Sequence, residues 1–185
     1  MTSSFNLRRT ARVFHAGGLL AYPTEAVFGL GCDPLNPDAV RRLLALKQRP
    51  EQKGLILIGA DFGQLRPFVE PLGDAQMAPL LASWPGPNTW LLPAARGLPR
   101  WLRGSHATLA VRVTDHPVAA ALCRACASPL VSTSANLSGH PPARNALKVR
   151  LALGGRIDRI VNAPCGGATR PSTIRDAVSG RIIRA

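Results

Sequence analysis

Residues 36–59, NPDAVRRLLALKQRPEQKGLILIG, contain the stretch of sequence that decides the class of fold. Asn36 offers a capping side chain, Pro37 suits the first helical position, and an acid follows, which together predict a helix start. The helix is predicted to continue through Leu46 and to stop before Pro50, because the residue before a proline disfavours the helical conformation. The apolar run at 54–59 then has the length of a buried strand.

Similar alternation of helical and extended patterns continues on both sides of this stretch. Helices and strands that share one core indicate an α/β fold, and ~100–200 residues is the usual domain size. The 185 residues therefore predict a single domain, residues 1–185, with a twisted mixed β-sheet flanked by helices. Further helices are predicted at 6–16, 61–69, 75–84, 116–127 and 145–153, and strands at 19–22, 27–31, 89–92, 108–113, 129–131, 159–161, 172–175 and 181–183.

The composition predicts a soluble, cytoplasmic protein. The chain is 46% hydrophobic and 18% charged, as expected for an ordered globule. No apolar run approaches the ~20 residues that span a bilayer, and the N-terminus lacks a secretory signal pattern. Four scattered cysteines are too few for a disulfide framework. Cys123 and Cys126 have CxxC spacing, but no second pair completes a zinc site, so they are interpreted as structural.

The net charge of +13, with a pI near 11.4, indicates a polyanionic partner. Nucleic acid, a nucleoside triphosphate, or both fit this charge. Aromatic residues make up only 5% of the chain. That scarcity argues against a single-strand binder built on stacked aromatic platforms.

The placement of the few lysines is informative, because the chain has 20 arginines and only three lysines. Lys47 and Lys53 lie within seven residues and flank Arg49 where the predicted helix ends. A lysine is a compact point charge and suits a crowded phosphate better than the broad guanidinium fork. The alternative is an ordinary solvated helix end favoured by the helix dipole.

A second polar cluster, residues 132–136 (STSAN), follows the strand predicted at 129–131 and offers four short hydrogen-bonding side chains. Ligands of open α/β sheets bind at such strand ends, although a turn with a helix cap is the alternative. Arg112 lies on the less apolar face of the strand predicted at 108–113. A buried arginine needs a partner, which is either an anionic ligand such as a carboxylate or a structural acid such as Asp115.

Several familiar sites are missing from the sequence. It contains no Walker A motif and no third glycine after Gly29 and Gly31 for a dinucleotide fingerprint. The four histidines have no metal-ligand spacing, and Ser132 and Ser134 lack the flanks of a G-x-S-x-G nucleophile. We therefore expect any triphosphate to be bound without a standard loop and without protein ligands to a metal.

Four motifs together resemble the YrdC-like family of threonylcarbamoyl-AMP synthases, over about residues 5–184. They are Tyr22-Pro23-Thr24-Glu25, Lys47-x-Arg49 with Lys53, Ser134-x-Asn136, and Pro171-Ser172-Thr173-Ile174. The resemblance implies a nucleotidyltransferase that joins L-threonine, bicarbonate and ATP into threonylcarbamoyl-AMP and pyrophosphate. The chain ends before the additional C-terminal domain of long members, which implies the short bacterial form.

The resemblance also implies roles for individual residues and for small molecules. Magnesium is expected with ATP, and no prosthetic group. Proteins that modify adenosine 37 of tRNA are the expected recipients of the product. Two positions depart from the family pattern: Ala26, where many members have threonine or serine, and Arg175, where an apolar residue is common. The implied catalytic residues are Lys47, Arg49, Lys53, Ser134 and Asn136; the ATP contacts are Arg49, Lys53, Thr108 and Ser134; the threonine contacts are Thr24, Arg112, Ser132 and Ser172.

Two other functions fit parts of the sequence. The basic charge suits a module that binds double-stranded RNA or tRNA by shape, which needs no aromatic residues. A carbamoyl-transfer domain acting on another protein shares the fold family, but no zinc-finger or acylphosphatase-like region is appended. The sequence leaves open the oligomeric state, direct tRNA binding, the choice of threonine over serine, and the proteins that receive the product.

Overall fold

The computed structural model describes residues 3–185 and shows an α/β fold with one extended sheet. Most predicted elements are confirmed to within two or three residues. No described helix within residues 3–185 is long and apolar enough to cross a membrane. The helices are α1 Ser4–His15, α2 Pro37–Lys47, α3 Phe62–Leu65, α4 Asp74–Ala82, α5 Arg100–Arg103, α6 Pro117–Ala125 and α7 Ala146–Leu153. The strands are β1 Leu20–Pro23, β2 Phe28–Gly31, β3 Ile56–Gly59, β4 Asn88–Pro93, β5 Thr108–Val113, β6 Leu130–Ser134, β7 Arg159–Ile160, β8 Thr173–Asp176 and β9 Ile182–Arg184.

The predicted start of α2 is confirmed in detail. The Asn36 side chain accepts hydrogen bonds from the backbone N–H groups of Asp38 and Ala39, and Pro37 is the first helical residue. The helix ends when Gln48 adopts a left-handed conformation, with φ of 48°. This bend directs the chain into a short 3-10 turn, Glu51–Lys53, ahead of β3.

The nine strands form one mixed sheet in the order β7-β1-β2-β6-β3-β5-β4-β8-β9. The pairs β1–β7, β3–β5 and β4–β8 are parallel, and the other neighbours are antiparallel. The predicted mixed sheet is thus confirmed. β3, from the stretch at 36–59, lies centrally between β5 and β6.

Helices pack on both faces of the sheet because successive strand residues point to opposite sides. Leu57 and Val131 belong to a core with α2, α4, α5 and α7. Ile58 and Leu130 belong to a smaller core with α1 and α6 on the other face. The smaller core covers only part of its face, and the rest is left open beside β3, β5 and β6.

Two predicted elements differ from the structure, and one helix was not predicted. The helix predicted at 61–69 is wrong in extent, because α3 ends at Leu65 and a 3-10 turn containing Pro67 follows. The short helix α5 was not predicted. β6 continues through Ser134, beyond the predicted end at residue 131. Ser132 and Ser134 are therefore strand residues, and the turn-and-cap alternative is wrong for them.

Gly31 allows β2 to pass close to β6. A Cβ at this position would lie 2.2 Å from the carbonyl oxygen of Val131, which also accepts a hydrogen bond from Tyr22. We expect Gly31→Ala to lower the free energy of unfolding by about 2 kcal/mol, because backbone in a packed sheet cannot move aside cheaply. Gly155→Ala is the matched control, since a Cβ there meets nothing within 4 Å. Equal urea unfolding curves for the two variants would contradict this prediction.

Candidate functional site

A cleft of about 490 Å³ opens on the part of the sheet face that α1 and α6 leave uncovered. Its floor consists of same-face residues of three adjacent strands: Thr108, Ala110 and Arg112 of β5, Ile56 of β3, and Ser132 and Ser134 of β6. On this face Leu130 of β6 and Ile58 of β3 pack under the helices, whereas the neighbouring same-face residues of both strands line the cleft. The alternation that placed Arg112 on the less apolar face of residues 108–113 is therefore confirmed.

The strand register divides the cleft into two ends. Ile56 lies beside Ala110 on one side and Ser132 on the other. Thr108 and Ser134 are two residues from this row in one direction, and Arg112 is two residues away in the other. Four residues of extended strand separate Thr108 from Arg112 by roughly 14 Å. The residues predicted to contact ATP therefore lie at one end of the cleft, and Arg112 lies at the other.

The first end, which we call the cationic end, is lined by Lys53, Arg49 and Arg103. The Lys53 side chain is exposed, whereas the Arg49 guanidinium is held by the carbonyl oxygen of Gly54 through Nε at 3.1 Å and Nη2 at 2.8 Å. Burial lowers the pKa of Arg49. A guanidinium that is held in place and an exposed ammonium at the same end of the cleft are suited to a polyphosphate.

Lys47 and Asn136 do not line the cleft but lie behind its wall. The Lys47 ammonium is buried and donates to the carbonyl oxygens of Ser134 and Asn136 and to Asn136 Oδ1, at 2.7, 2.5 and 2.8 Å. Burial, and then the charge of Arg49, lower its pKa to about 8. The resemblance implies that Lys47 is one of the catalytic residues, and the structure places its side chain under the end of β6.

Removing the Lys47 side chain should destabilise the fold. Lys47→Ala removes a charged donor from three oxygens, and we expect the free energy of unfolding to fall by about 2 kcal/mol. Lys148→Ala, at an exposed position of α7, should change it by less than about 0.5 kcal/mol. Urea unfolding of both variants measures the difference. An undiminished stability of Lys47→Ala would show that the hydrogen bonds are not needed.

At the other end of the cleft, Arg112 forms a buried ion pair with Glu25. Arg112 Nη1 donates to Glu25 Oε2 at 2.6 Å, while Oε1 accepts from Thr114 Oγ1 and from the backbone N–H of Asp115. Arg112 Nε is buried and has no hydrogen-bond partner among the described residues 3–185. The predicted structural acid is thus Glu25 rather than Asp115, and Nε is a buried donor that this acid does not satisfy.

Because of this ion pair, the free energy of unfolding should decrease at acid pH. Burial tends to raise the pKa of Glu25, but the charge of Arg112 and several hydrogen bonds outweigh it, so this pKa is lowered. The unfolded chain then binds more protons, and the contribution to stability is present above an ordinary glutamate pKa and lost as the pH falls through the lowered one. Unfolding curves between about pH 3 and about pH 7 should show that Glu25→Gln lacks this acid-side loss.

The remaining predicted threonine contacts line the same cleft as Arg112. Thr24 donates its hydroxyl hydrogen to the carbonyl oxygen of Val27 at 2.7 Å within the turn between β1 and β2. Ser172 Oγ lies 2.9 Å from Oγ1 of Thr89, which is fully buried. Ser132 is buried on β6. All of these predicted residues line the cleft, and their contact roles stay predictions.

Four further cleft residues were missed because no local pattern distinguishes them. Arg103 is the last residue of α5, which was not predicted, and His106 follows it; the backbone N–H of Ser105 between them donates to the carbonyl oxygen of Gln52 in the turn at Glu51–Lys53. Arg170 and Arg184 are two among the 20 arginines of the chain. Arg184 Nη2 donates to the carbonyl oxygen of Ser172, and its pKa is lowered by burial and by the charge of Arg112.

The cleft has few side chains that could act as ligands to a metal ion. Residues 3–185 contain no group of three or more histidine, cysteine or acidic side chains arranged to hold a metal. Glu25 is the one acid among the described residues that line the cleft, and its oxygens are already engaged. A magnesium ion would therefore fit here as part of an ATP complex, held mainly by phosphate oxygens and water.

Comparison with known proteins finds relatives that match nearly the whole chain. The family model of Sua5, YciO and YrdC, described as telomere recombination, matches residues 12–185. Proteins named threonylcarbamoyl-AMP synthase from Halorhodospira halophila and Pseudomonas aeruginosa are 55% and 52% identical, over 99% and 100% of this chain and 96% and 99% of theirs.

Solved structures extend the comparison. The structure of P. abyssi Sua5 complexed with L-threonine superposes with a TM-score of 0.89 at 33% identity, and covers 97% of this chain but 53% of that one. The solution structure of MTH1692 from Methanobacterium thermoautotrophicum has a TM-score of 0.80 at 30% identity, with 99% and 87% covered. HypF from T. kodakarensis, at 19% identity and a TM-score of 0.81, shares the fold alone. The matched family model and these relatives show that the chain belongs to the Sua5/YciO/YrdC family.

Proposed function

We propose that this protein forms L-threonylcarbamoyl-AMP and pyrophosphate from L-threonine, bicarbonate and ATP. The observation that carries the proposal is the arrangement of one cleft, with a cationic end some four strand residues from a buried arginine. Relatives that match nearly the whole chain are named threonylcarbamoyl-AMP synthases, and a structure with the same fold is complexed with L-threonine. Enzyme class and substrates follow from the same relatives.

The chemistry requires positioning more than acid–base catalysis. The threonine amine and bicarbonate give a carbamate with loss of water. One carbamate oxygen then bonds to the α-phosphorus of ATP while the bond to the pyrophosphate oxygen breaks. Because a carbamate is already a nucleophile, the chain has to align the reactants and neutralise charge. Lys53, Arg49 and Arg103 would neutralise the departing pyrophosphate, and Arg112 would hold the threonine carboxylate.

ATP would enter as its magnesium complex, and no prosthetic group is needed. The ion would reduce repulsion between phosphate oxygens, while the chain supplies the surrounding cations. The product is a mixed anhydride, so the protein that consumes it must bind it before water hydrolyses it. We propose that the recipients are proteins that modify adenosine 37 of tRNA in the cytoplasm.

Pyrophosphate release tests the proposal. Purified protein is incubated with ATP, magnesium and bicarbonate, with and without L-threonine. We expect release that depends on threonine and on bicarbonate. Absence of threonine-dependent release from a folded sample would overturn the proposal.

RNA binding has one observation in its favour, the net charge of +13. The comparisons give no support to an RNA-binding module as the main function. Direct titration with tRNA at increasing salt would show whether binding is more than nonspecific attraction, since contacts to phosphates weaken steeply with salt.

A further inference from the structure

The residues around Ser134 determine whether its hydroxyl group donates or accepts a hydrogen bond. Its Oγ lies 2.6 Å from Asn136 Oδ1. The Asn136 amide cannot be turned around, because Nδ2 donates to the carbonyl oxygens of Leu137 and His140 at 3.0 and 2.6 Å. On its other side Oδ1 accepts from the ammonium of Lys47, which can only donate.

These contacts determine where the Ser134 proton lies. An amide oxygen has no proton to give, so Ser134 must be the donor in its bond to Asn136 Oδ1. A hydroxyl has one proton and two lone pairs, and the proton is used in this bond. Ser134, which lines the cationic end of the cleft, therefore presents lone pairs to a ligand. Lys47 and Asn136 act through Ser134 and are positioning residues.

We propose that Ser134 is an acceptor in the nucleotide site and contacts an electropositive group of ATP rather than a phosphate oxygen. Such a group is a ribose hydroxyl or the magnesium ion that ATP carries. The inference rests on the proposed function, because it assigns a partner within the proposed ATP site. A phosphate oxygen is itself an acceptor and would face the lone pairs of Ser134 without a proton between them.

This assignment gives the cleft residues different hydrogen-bonding roles. Phosphate oxygens need donors, and the cationic end supplies them from Lys53, Arg49 and Arg103. The hydroxyl proton of Thr24 is also already used, since this hydroxyl donates to the Val27 carbonyl oxygen. Residue type alone counts such hydroxyl groups as donors, whereas the hydrogen-bond network makes these two acceptors.

Ser134→Ala tests the proposal without a need for turnover. Asn136 Oδ1 keeps its bond from Lys47 in this variant, so no buried group loses its last partner. The ligands are tripolyphosphate without metal, which offers only acceptors, and ATP with magnesium, and the readout is the Kd from calorimetry. We expect the Kd for ATP to rise roughly tenfold and that for tripolyphosphate to stay within about twofold, because a lost hydrogen bond affects only the ligand that makes it.

Two further ligands identify the group that Ser134 contacts. If it is a ribose hydroxyl, either 2′-deoxy-ATP or 3′-deoxy-ATP should bind wild-type protein more weakly than ATP, and Ser134→Ala should remove that difference. If it is magnesium, removal of the ion should abolish the effect of Ser134→Ala on ATP binding. Lys53→Ala is the comparison variant and should weaken tripolyphosphate and ATP alike.

Weaker binding of metal-free tripolyphosphate to Ser134→Ala, to the same degree as ATP, would overturn the proposal, since Ser134 would then donate to phosphate. An unchanged Kd for ATP would overturn it too. Failure of the wild-type protein to bind ATP at all is a different result. It would overturn the proposed function, and this inference with it.

Discussion

Arg112→Gln should raise the threonine concentration for half-maximal pyrophosphate release by roughly a hundredfold, with little change for ATP. A hydrogen bond to a charged group contributes about 1.5–3 kcal/mol, and each 1.4 kcal/mol is a factor of ten. Arg112 Nε is the buried donor that Glu25 leaves unpaired, so a threonine carboxylate is the partner that would lose its contact. Steady-state kinetics with each substrate varied in turn measures both constants.

The same substitution should also cost stability, and a second variant separates the two effects. Arg112→Gln leaves Glu25 buried without its cation, which should lower the free energy of unfolding by about 3 kcal/mol. Combining it with Glu25→Gln should restore much of that stability but not the use of threonine. Arg150→Gln, at an exposed position of α7, is the matched control. An unaltered threonine requirement in a folded Arg112→Gln variant would remove Arg112 from the site.

Lys53→Ala should reduce the rate of pyrophosphate release roughly a hundredfold, equivalent to about 3 kcal/mol of transition-state stabilisation. Negative charge develops on the departing pyrophosphate, and Lys53 is an exposed cation at the cationic end of the cleft. Because its side chain is exposed, we expect the unfolding curve to be unchanged. Rates at saturating ATP and threonine measure the effect on the chemical step.

Lys148→Ala is the control for Lys53→Ala, since it removes the same charge from the exposed surface of α7. The two variants have the same net charge, so general attraction of ATP by a basic protein falls equally in both. Equal rates for the two variants would mean that Lys53 contributes only to the overall charge. Raised salt should weaken ATP use by both, because it screens distant charges.

Local signals predicted the helices and strands that depend on neighbouring residues. The capping side chain of Asn36 and the proline that follows it predicted the start of α2, and alternation predicted which face of β5 carries Arg112. The same signals failed at α5, a helix of four residues stabilised by backbone contacts to the turn at Glu51–Lys53. A turn that short has little propensity of its own, so its contacts decide its conformation.

The candidate site was predicted from residue types and motif resemblance. Only the folded structure showed which of the predicted residues line the cleft. The lysine and serine clusters both lead to the same cleft, but Lys47 lies behind the wall rather than in it. Glu25 belonged to a recognised motif, yet nothing in the sequence paired it with Arg112, 87 residues away. The pairing depends on strands that are distant in the chain and close in the sheet.

The order of residues was enough to determine the class of fold, the cationic and hydroxyl-rich character of the site, and the family resemblance, because these depend on composition, periodicity and motif spacing. The tertiary structure alone decided which acid neutralises Arg112 and whether a hydroxyl donates or accepts. The direction of a hydrogen bond depends on every neighbour of both atoms. For Ser134 those neighbours come from two distant segments, since Lys47 lies 89 residues from Asn136 along the chain.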